Sequence, residues 1–472
     1  MLEFTHSLIH DKPVKRMIQI LEILDNGQKL VPSKDIAEQL QCSSRTVSND
    51  ISQLKSYLPE HWDIISVKSK GYILIKPVTD SILPIINSYL DESIIYKIML
   101  GLFNNKCYTL EKWSQNLFVN KLTLRKHIKE HKKMLKKSML EIKLREIQLD
   151  GEELNIRHYY HALFYNTQKY TKQFLLPNIL REELLNILRG YKVTVDFEML
   201  CVILSICINR VSNKSYIKSE IKDVPIYDSY QAECIAEIIL IFEKYYSIKL
   251  PENEIKALNV FFILVFATTS KQNEVTLEYL KEFKNDDYHK YLKLIYILME
   301  KRNIKKEKRE KVIASLSSVF YYSLMYSQYN LSLGFYFSSL DKLESETLQD
   351  YKKDRSLVSF WNKTHNEKRM YKEEIEFFST YVTLLLNSFS DEINILFLFN
   401  GTEVEKRFIY STLTNSIGGN VKIYNSINDG IKYDFIITNY QPPNTTTPII
   451  YFSGKLTEGD INSIKSCIYH LN

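Results

Sequence analysis

The sequence predicts a mainly α-helical protein of several domains, with two winged helix-turn-helix units at its N-terminus and a small α/β domain at its C-terminus. Three observations carry this prediction. The chain has 472 residues, which is too long for a single hydrophobic core. Gly and Pro are scarce, with 12 and 11 residues, as in helical proteins with short connections. Apolar side chains recur every three or four positions along most of the chain, and short β-type runs interrupt them only near the two ends.

Positive charge is concentrated at the N-terminus. Residues 1–150 contain 23 Lys and Arg against 17 Asp and Glu, whereas the other residues hold equal numbers of both. The excess peaks between Lys121 and Arg145, where ten basic residues face only Glu130 and Glu141. Such an asymmetry is typical of proteins that bind double-stranded DNA, and we expect duplex DNA as the partner.

Several function classes find no support in the sequence. The N-terminus lacks the pattern of a secretory signal, and the longest apolar run, near 260–267, is too short to span a membrane. The six cysteines are scattered without a Cys-x-x-Cys pair, which argues against a zinc site or a disulfide frame and for the cytoplasm. No Walker loop, G-x-G-x-x-G or H-E-x-x-H pattern occurs, so we expect neither an enzyme nor a bound cofactor or metal.

The first predicted unit covers residues 1–80. Val14–Asp25 carries a helical apolar stripe, and Ser33 is expected to cap a short helix over Lys34–Leu40. Ser43 or Ser44 is expected to cap the helix that follows, whose apolar residues recur at spacings of four and three. In helix-turn-helix proteins the N-terminal end of this second helix enters the major groove. Its candidate DNA contacts are Ser43, Ser44, Arg45, Thr46, Ser48, Asn49 and Lys55.

These side chains have distinct expected roles. Arg45 can read guanine edges and Asn49 adenine edges, while the serines suit phosphate oxygens. Ile64–Lys68 and Tyr72–Ile75 flank a hairpin turn and predict a wing, with Lys68 and Lys70 at its tip against the DNA backbone. A winged helix used only for protein contacts is the alternative interpretation.

The second predicted unit covers residues 81–154 and repeats the pattern. Ser93–Phe103 is an apolar helix, and Thr109–Leu117 and Asn120–Lys137 form the helix pair, with Asn120 as the N-cap. Acidic partners one turn away from the basic residues of the last helix are nearly absent, so this unit is expected to bind mainly the phosphate backbone. Its candidate contacts are Lys121, Thr123, Arg125, Lys126 and Lys129. Leu140–Leu149 alternates enough to form a strand or a second wing.

The rest of the chain divides further. Residues 155–388 are helical throughout, and similar apolar helices begin near Glu254 and Glu374, which predicts two copies of one bundle, over 155–275 and 276–388, joined near Lys271–Lys290. Residues 389–472 alternate strands and helices and predict a small parallel sheet.

Three segments carry a resemblance to a known family: Leu40–Val47 (LQCSSRTV), Leu117–Arg125 (LFVNKLTLR) and Leu149–Arg157, which begins LDGE. Together they resemble the Mga/AtxA-type virulence regulators. The similarity continues in the same order over the full length. The resemblance implies two winged helix-turn-helix domains, two phosphotransferase-system regulation domains (PRDs) and a C-terminal domain similar to the IIB component of sugar phosphotransferase systems.

The resemblance also implies a function. Members are cytoplasmic transcription activators of toxin, capsule or surface-protein genes, they act as homodimers, and they favour bent or A·T-rich promoter DNA. RNA polymerase is a further expected partner. We expect the homodimer to form through the C-terminal domain.

The regulatory positions depart from the family pattern. PRDs are switched by phosphorylation of histidines, but the matching positions here hold Glu198 in the first bundle and Tyr381 in the second, and no histidine occurs between His161 and His289. Glu198 either imitates the phosphorylated state with a permanent negative charge or is an ordinary carboxylate near a helix start. We favour the second interpretation, since one carboxylate carries less charge than a phosphate.

The C-terminal domain also lacks the nucleophile of a phosphocarrier, because its first loop reads Asn-Gly-Thr-Glu over 400–403. Two alternatives remain open for the whole chain. One is an activator of a sugar operon under phosphotransferase control, and the other is a PRD-containing RNA-binding antiterminator.

Overall fold

The computed structural model describes residues 3–27, 30–167, 176–222, 224–282, 286–302, 304–332, 345–365, 370, 372–389, 392–417, 421–428, 430–442, 445–452 and 456–470. These residues are mainly helical and form two compact units. The first unit comprises Met1–Tyr279 and Ser318–Ser339, and the second comprises Leu280–Ser317 and Leu340–Asn472. No helix within the described ranges is long and apolar enough to cross a membrane.

The chain begins with a winged helix-turn-helix. The side chain of Ser43 accepts a hydrogen bond from the backbone N–H of Thr46 at 3.1 Å, which confirms Ser43 as a helix cap. The expected cap at Ser33 is wrong, because Pro32 occupies that position and Ser33 already lies in the first helical turn. The elements are α1 (Glu3–Leu8), α2 (Lys12–Gly27), α3 (Ser33–Gln39), α4 (Ser44–Lys55), β1 (Asp63–Val67) and β2 (Gly71–Ile75).

The predicted wing is present as an antiparallel hairpin in which Asp63 pairs with Ile75 and Val67 with Gly71. Tyr72 exchanges two backbone hydrogen bonds with Val31, of 2.8 and 2.9 Å, so the wing is anchored to the segment before α3. Gly71 has a φ of +121°, and a Cβ there would lie 2.1 Å from the carbonyl oxygen of Val31. The close pairing of wing and body therefore requires glycine at this position.

The second winged helix-turn-helix follows with the same order of elements. Thr109 and Asn120 cap the two helices of the motif, and the side chain of Asn120 accepts from the N–H of Leu122 at 2.7 Å. Glu141–Lys143 pairs antiparallel with Gln148–Asp150, which confirms the second wing. The elements are α5 (Leu83–Glu92), α6 (Ile94–Phe103), α7 (Leu110–Asn116), α8 (Lys121–Lys136), β3 (Glu141–Lys143) and β4 (Gln148–Asp150).

One hydrophobic cluster runs through both winged units. It includes Leu21 of α2, Ile51 of α4, Leu124 of α8 and Tyr159 of the next helix, α9 (Glu153–Thr167). Because every member is removed from water together, the two winged units and α9 stabilise one another.

Helices fill the middle of the chain, as predicted. Their bounds are α10 (Asn178–Tyr191), α11 (Phe197–Ser212), α12 (Ser229–Tyr246), α13 (Glu252–Phe262), α14 (Ser270–Glu282), α15 (Asp286–Lys301), α16 (Lys306–Gln328), α17 (Ser345–Thr364) and α18 (Lys372–Phe389). Within the first unit, Arg157 of α9 forms a buried ion pair with Glu254 of α13, with Nη1 and Oε2 2.5 Å apart. Part of the predicted join near 271–290, residues 283–285, lies outside the described residues. The division into two repeated bundles stays a prediction.

The C-terminal segment forms the predicted small parallel sheet. Its strand order is β6-β5-β7-β8, and all three strand pairs are parallel. Phe397, Leu413, Ile437 and Ile464 are buried in its core. The elements are β5 (Ile393–Leu398), α19 (Glu403–Ser416), β6 (Val421–Tyr424), β7 (Phe435–Thr438), β8 (Ile449–Tyr451) and α20 (Glu458–His470).

Candidate nucleic-acid interface

Helix α4 has one buried face and one exposed face. Val47, Ile51 and Leu54 point into the core. Arg45 and Asn49, spaced by four positions, are exposed on the opposite side. This face therefore presents a guanidinium and an amide, the two groups best suited to the guanine and adenine edges of the major groove.

An ion pair holds α4 in place from behind. Asp50 on α4 is buried, and its two carboxylate oxygens accept hydrogen bonds from Nε and Nη2 of Arg16 on α2, with Nη2 at 2.9 Å from Oδ1. The hydrogen bond to Asp50 raises the pKa of Arg16 above its usual value. Because the two bonds are parallel, they fix the rotation of α4 about its axis as well as its distance from α2.

The remaining candidates of the first unit divide into exposed and internally bonded side chains. Ser44 and Ser48 are exposed, whereas Ser43 and Thr46 contact each other through their hydroxyl oxygens at 2.9 Å as part of the helix cap. Lys55 pairs with Asp63 of β1 at 2.9 Å, which reduces the charge that it offers to a phosphate.

Lys68 and Lys70 lie exposed in the turn between β1 and β2, where Ser69 adopts a left-handed φ of 61°. Both lysines therefore stand at the tip of the wing, as the sequence predicts. A cationic wing tip is suited to phosphate oxygens beside the groove that the recognition helix enters.

Helix α8 carries the strongest positive surface of the first unit. Leu124, Ile128 and Leu135 are buried, and the exposed cations occupy the opposite face. Thr123 is exposed as well, while Lys121 is paired with Glu111 of α7 at 2.5 Å. None of the ion pairs between described residues involves the following exposed cations of α8: Arg125, Lys126, Lys129, Lys133 and Lys136.

Unpaired like charges on one helix face repel each other unless a polyanion neutralises them. The exposed cations at 126, 129 and 133 follow a spacing of three and four, so they form a single stripe along α8, which also contains the exposed carboxylate of Glu130. A stripe of this kind follows a DNA backbone and releases counterions as it binds.

His127 and His131 of α8 pack against His10. His10 lies in the segment between α1 and α2, with its ring 5.4 Å from that of His127 and 6.1 Å from that of His131. Burial lowers the pKa of His10 to about 4 and that of His131 to about 3. Both rings are therefore neutral at neutral pH, and Nε2 of His131 contacts the hydroxyl of Tyr159 at 2.8 Å.

The substituted regulatory positions lie elsewhere. Glu198, in the first turn of α11, is exposed and receives hydrogen bonds from both terminal nitrogens of Arg181 on α10, one of them 3.1 Å long. Tyr381 on α18 is half-buried, and burial raises its pKa. The two positions belong to different compact units.

Three further candidates lie outside the predicted set. Ser52 is exposed on α4, seven positions after Arg45 and therefore on the same face. Phe118 and Leu122 are exposed in the turn before α8 and in its first turn. The helical spacing from Arg45 would have identified Ser52, and that from Lys126 would have placed Leu122 on the exposed face, whereas Phe118 is of an apolar residue type that is expected in the core. The roles of all these DNA-contact residues stay predictions.

Comparison with known proteins agrees with this geometry. Residues 78–164 match the Mga helix-turn-helix domain family, and residues 16–73 match a second helix-turn-helix domain family. The capsule synthesis positive regulator AcpB of Bacillus anthracis is 23% identical over an alignment that covers 96% of this chain and 98% of that protein.

Two further relatives match over the full length or over about half of it. A protein of Streptococcus pneumoniae serotype 4, named for trans-acting regulation, is 23% identical over 98% of this chain and 97% of its own length. The anthrax toxin expression trans-acting positive regulator of Bacillus anthracis is 22% identical over 56% of this chain and 58% of its own length. The family match falls on the described second winged unit, so this chain contains an Mga helix-turn-helix domain, and its similarity to transcription regulators continues from end to end.

Proposed function

We propose that this regulator activates genes of the capsule or toxin class by binding their promoters with both winged helix-turn-helix units. The observation that carries the proposal is the pair of exposed recognition surfaces, Arg45 and Asn49 on α4 and the cationic stripe on α8. The names of the relatives, two of which are positive regulators of capsule synthesis or toxin expression, support the choice of target genes. A promoter-binding protein of this kind acts in the bacterial cytoplasm.

The two units divide the work between them. Helix α4 presents hydrogen-bonding side chains and supplies base readout, whereas α8 presents cations and supplies affinity for the phosphate backbone. When much of the binding affinity comes from phosphate contacts, DNA is recognised by its bending and its A·T content rather than by a strict consensus.

The test is genome-wide promoter occupancy of the intact protein and of an Arg45→Ala, Asn49→Ala double variant. We expect the variant to lose its choice of sites while it keeps residual affinity, since each bidentate base contact is worth about 1–3 kcal/mol. Gln53→Ala is the matched control, because Gln53 is exposed on α4 one turn beyond Asn49, farther from the N-terminal end that enters the groove. Unchanged occupancy in the double variant would refute base readout by α4.

A gel shift separates DNA binding from RNA binding. We expect the full chain to bind a promoter duplex more tightly than an RNA hairpin of equal length. Preferential binding of the hairpin would instead indicate an antiterminator.

Control of activity is assigned to the remaining domains. Residues 155–275 and 276–388 are proposed to be PRD-like bundles, and residues 389–472 an IIB-like docking and dimerisation domain. The loop after β5 supports docking over phosphate transfer, because Thr402 in that loop is bonded to Glu405 in a capping box and the loop contains neither cysteine nor histidine. RNA polymerase is the proposed partner for activation.

Homodimerisation through the C-terminal domain is supported by an exposed apolar pair on α19. Val404 and Phe408 are four positions apart and both face solvent, at 79% and 70% exposure. We expect a Val404→Asp, Phe408→Asp variant to sediment as a monomer, as would a chain truncated after Ser388. Thr414→Asp, also exposed on α19, is the control. A double variant that remains dimeric would place the dimer interface elsewhere.

A further inference from the structure

Two large apolar side chains stand in solvent at the end of α8 that faces the groove in a helix-turn-helix protein. Phe118 is 95% exposed and Leu122 is 76% exposed. Burial of a Phe or Leu side chain is worth about 1.5–3 kcal/mol each, so leaving both in water forgoes a large stabilisation. Such a cost is typical of side chains that are kept for a partner.

The backbone holds both residues in defined positions. Phe118 has a left-handed φ of 53°, and its N–H donates to the carbonyl of Gln115 at 3.2 Å. The N–H of Leu122 donates to the side chain of Asn120 at 2.7 Å. Their exposure therefore results from the geometry of the turn and the helix cap.

The first winged unit has equivalent positions, which the helix caps identify. In both units a C-cap leucine, Leu40 or Leu117, precedes a residue with a left-handed φ, and the N-cap follows two residues later. This register places Phe118 where the first unit has Gln41, with a φ of 50°. It also places Leu122 where the first unit has Arg45, the second residue of each recognition helix.

The surroundings select one class of partner. Leu122 begins the exposed stripe that continues through Lys126, Lys129 and Lys133 at helical spacing. A cationic stripe is complementary to DNA phosphates, which would bring Leu122 to the base edges. An alkyl or aromatic side chain cannot hydrogen-bond to a base, and the apolar group that the major groove offers is the 5-methyl group of thymine.

We propose that Phe118 and Leu122 contact thymine methyl groups in the major groove. This inference rests on the proposed binding of promoter DNA by the second winged unit, and it gives that unit a base preference through apolar contacts instead of hydrogen bonds. The first unit then reads base edges with polar side chains, while the second selects A·T-rich sequence by its methyl groups.

The test compares two duplexes that differ only in that methyl group. The full-length protein is titrated with a 30-base-pair alternating dA·dT duplex and with the same duplex containing deoxyuridine in place of thymidine. Burial of one methyl-sized group corresponds to about fourfold in affinity, so we expect the thymine duplex to bind at least about fourfold more tightly. A Phe118→Asn, Leu122→Ala variant should bind both duplexes equally, whereas Leu122→Met should keep the preference.

Two controls separate this inference from the proposed function. Arg45→Ala changes the first unit and should leave the thymine-to-uracil ratio unaltered. Triple replacement of Lys126, Lys129 and Lys133 by alanine should weaken binding to both duplexes equally. If the triple variant binds normally, DNA binding by the second unit is wrong. If it binds weakly but the Phe118→Asn, Leu122→Ala variant keeps the wild-type ratio, only the methyl contact is wrong.

A wild-type protein that binds the two duplexes equally also overturns the inference.

Co-sedimentation with phosphatidylglycerol vesicles tests whether the same apolar and basic surface is used for a membrane. We expect no vesicle binding that depends on Phe118 and Leu122. Vesicle binding lost in the Phe118→Asn, Leu122→Ala variant would assign these side chains to lipid and contradict the proposal. Both substituted side chains are exposed, so circular dichroism should show an unchanged fold.

Discussion

Arg16 and Asp50 form a bidentate ion pair between α2 and the recognition helix α4, with Nη2 of Arg16 2.9 Å from Oδ1 of the buried Asp50 carboxylate. The two residues are 34 positions apart, so the pair joins the helix that reads DNA to the helix that supports it. Its value to the protein is orientation as much as stability.

Loss of this pair should therefore affect both stability and binding. Breaking a buried ion pair lowers the free energy of unfolding by about 3–5 kcal/mol. Because water has partial access to Arg16, we expect a smaller loss of about 2 kcal/mol for Asp50→Asn. DNA affinity should fall as well, although Asp50 faces away from the groove. Urea unfolding and a duplex titration measure the two effects. Glu38→Gln, which removes an exposed carboxylate of α3, should change neither. An Asp50→Asn protein with normal stability would contradict the structural role.

Glycine at position 71 is required by a steric contact. Gly71→Ala would place a Cβ 2.1 Å from the carbonyl oxygen of Val31 and force a non-glycine residue to a φ of +121°. We expect a loss of at least about 2 kcal/mol in the free energy of unfolding, a left-handed backbone alone costing about 1–2 kcal/mol. Gly190→Ala is the matched control, because a Cβ added there in α10 would meet no atom within 4 Å and the change should stabilise by up to about 1 kcal/mol. Equal effects at the two positions, measured by thermal unfolding, would refute the steric argument.

Binding to DNA should depend steeply on salt because of α8. The logarithm of the binding constant falls by about 0.9 per phosphate contact for each unit of the logarithm of salt concentration. Removing Lys126, Lys129 and Lys133 should reduce this slope by up to about 2.7. The control removes three exposed lysines of the second compact unit, Lys293, Lys352 and Lys363. A slope reduced equally by both sets would show that overall charge, and not the α8 stripe, determines binding.

Acid should destabilise the first compact unit through its buried histidines. Burial lowers the pKa from 6.5 to about 4 for His10 and to about 3 for His131, His158 and His161. Because the unfolded chain takes up protons at higher pH than the folded one, stability is complete above pH 6.5 and decreases as the pH falls toward the folded pKa. At pH 5 each histidine contributes a loss of about 2 kcal/mol.

Thermal unfolding at pH 7 and pH 5 measures this effect. His158→Gln should reduce the difference between the two values by about 2 kcal/mol, whereas His365→Gln, at an exposed position, should leave it unchanged. A first unit equally stable at both pH values would contradict the burial of neutral rings.

Glu198 is expected to have little regulatory effect. Its carboxylate is bonded to Arg181, so its charge is offset inside the protein and does not resemble that of a phosphate. Glu198→Gln and Glu198→Ala should leave promoter output unchanged and stability within about 1 kcal/mol, as for exposed ion pairs. A large loss of output in Glu198→Gln, with the fold intact, would instead support a permanent imitation of the phosphorylated state.

Local rules predict much of the N-terminal structure. Ser43 and Asn120 cap the recognition helices, and both wings appear where apolar and polar residues alternate. These features depend on residues close in sequence. The cap expected at Ser33 lies one position earlier, because Pro32, with its fixed φ, occupies it.

The features that the sequence does not reveal depend on distant contacts. Nothing near Asp50 identifies Arg16 as its partner, and nothing near Lys55 or Lys121 shows that Asp63 and Glu111 offset their charges. Phe118 is of an apolar residue type that is expected in the core, and only the structure of the turn before α8 shows that its side chain faces solvent. Periodicity locates the helices, while tertiary contacts decide which of their residues a partner can reach.

The continuous cluster that joins Leu21, Ile51 and Leu124 has a consequence for operator architecture. The two recognition helices, α4 and α8, are packed into one hydrophobic core, so the distance and the angle between them are fixed. An operator that binds both helices at once must therefore have its two subsites at one separation and at one rotational phase of the duplex. Insertion of five base pairs between such subsites, which turns one of them to the opposite side, would therefore be tolerated far less than base changes within either subsite.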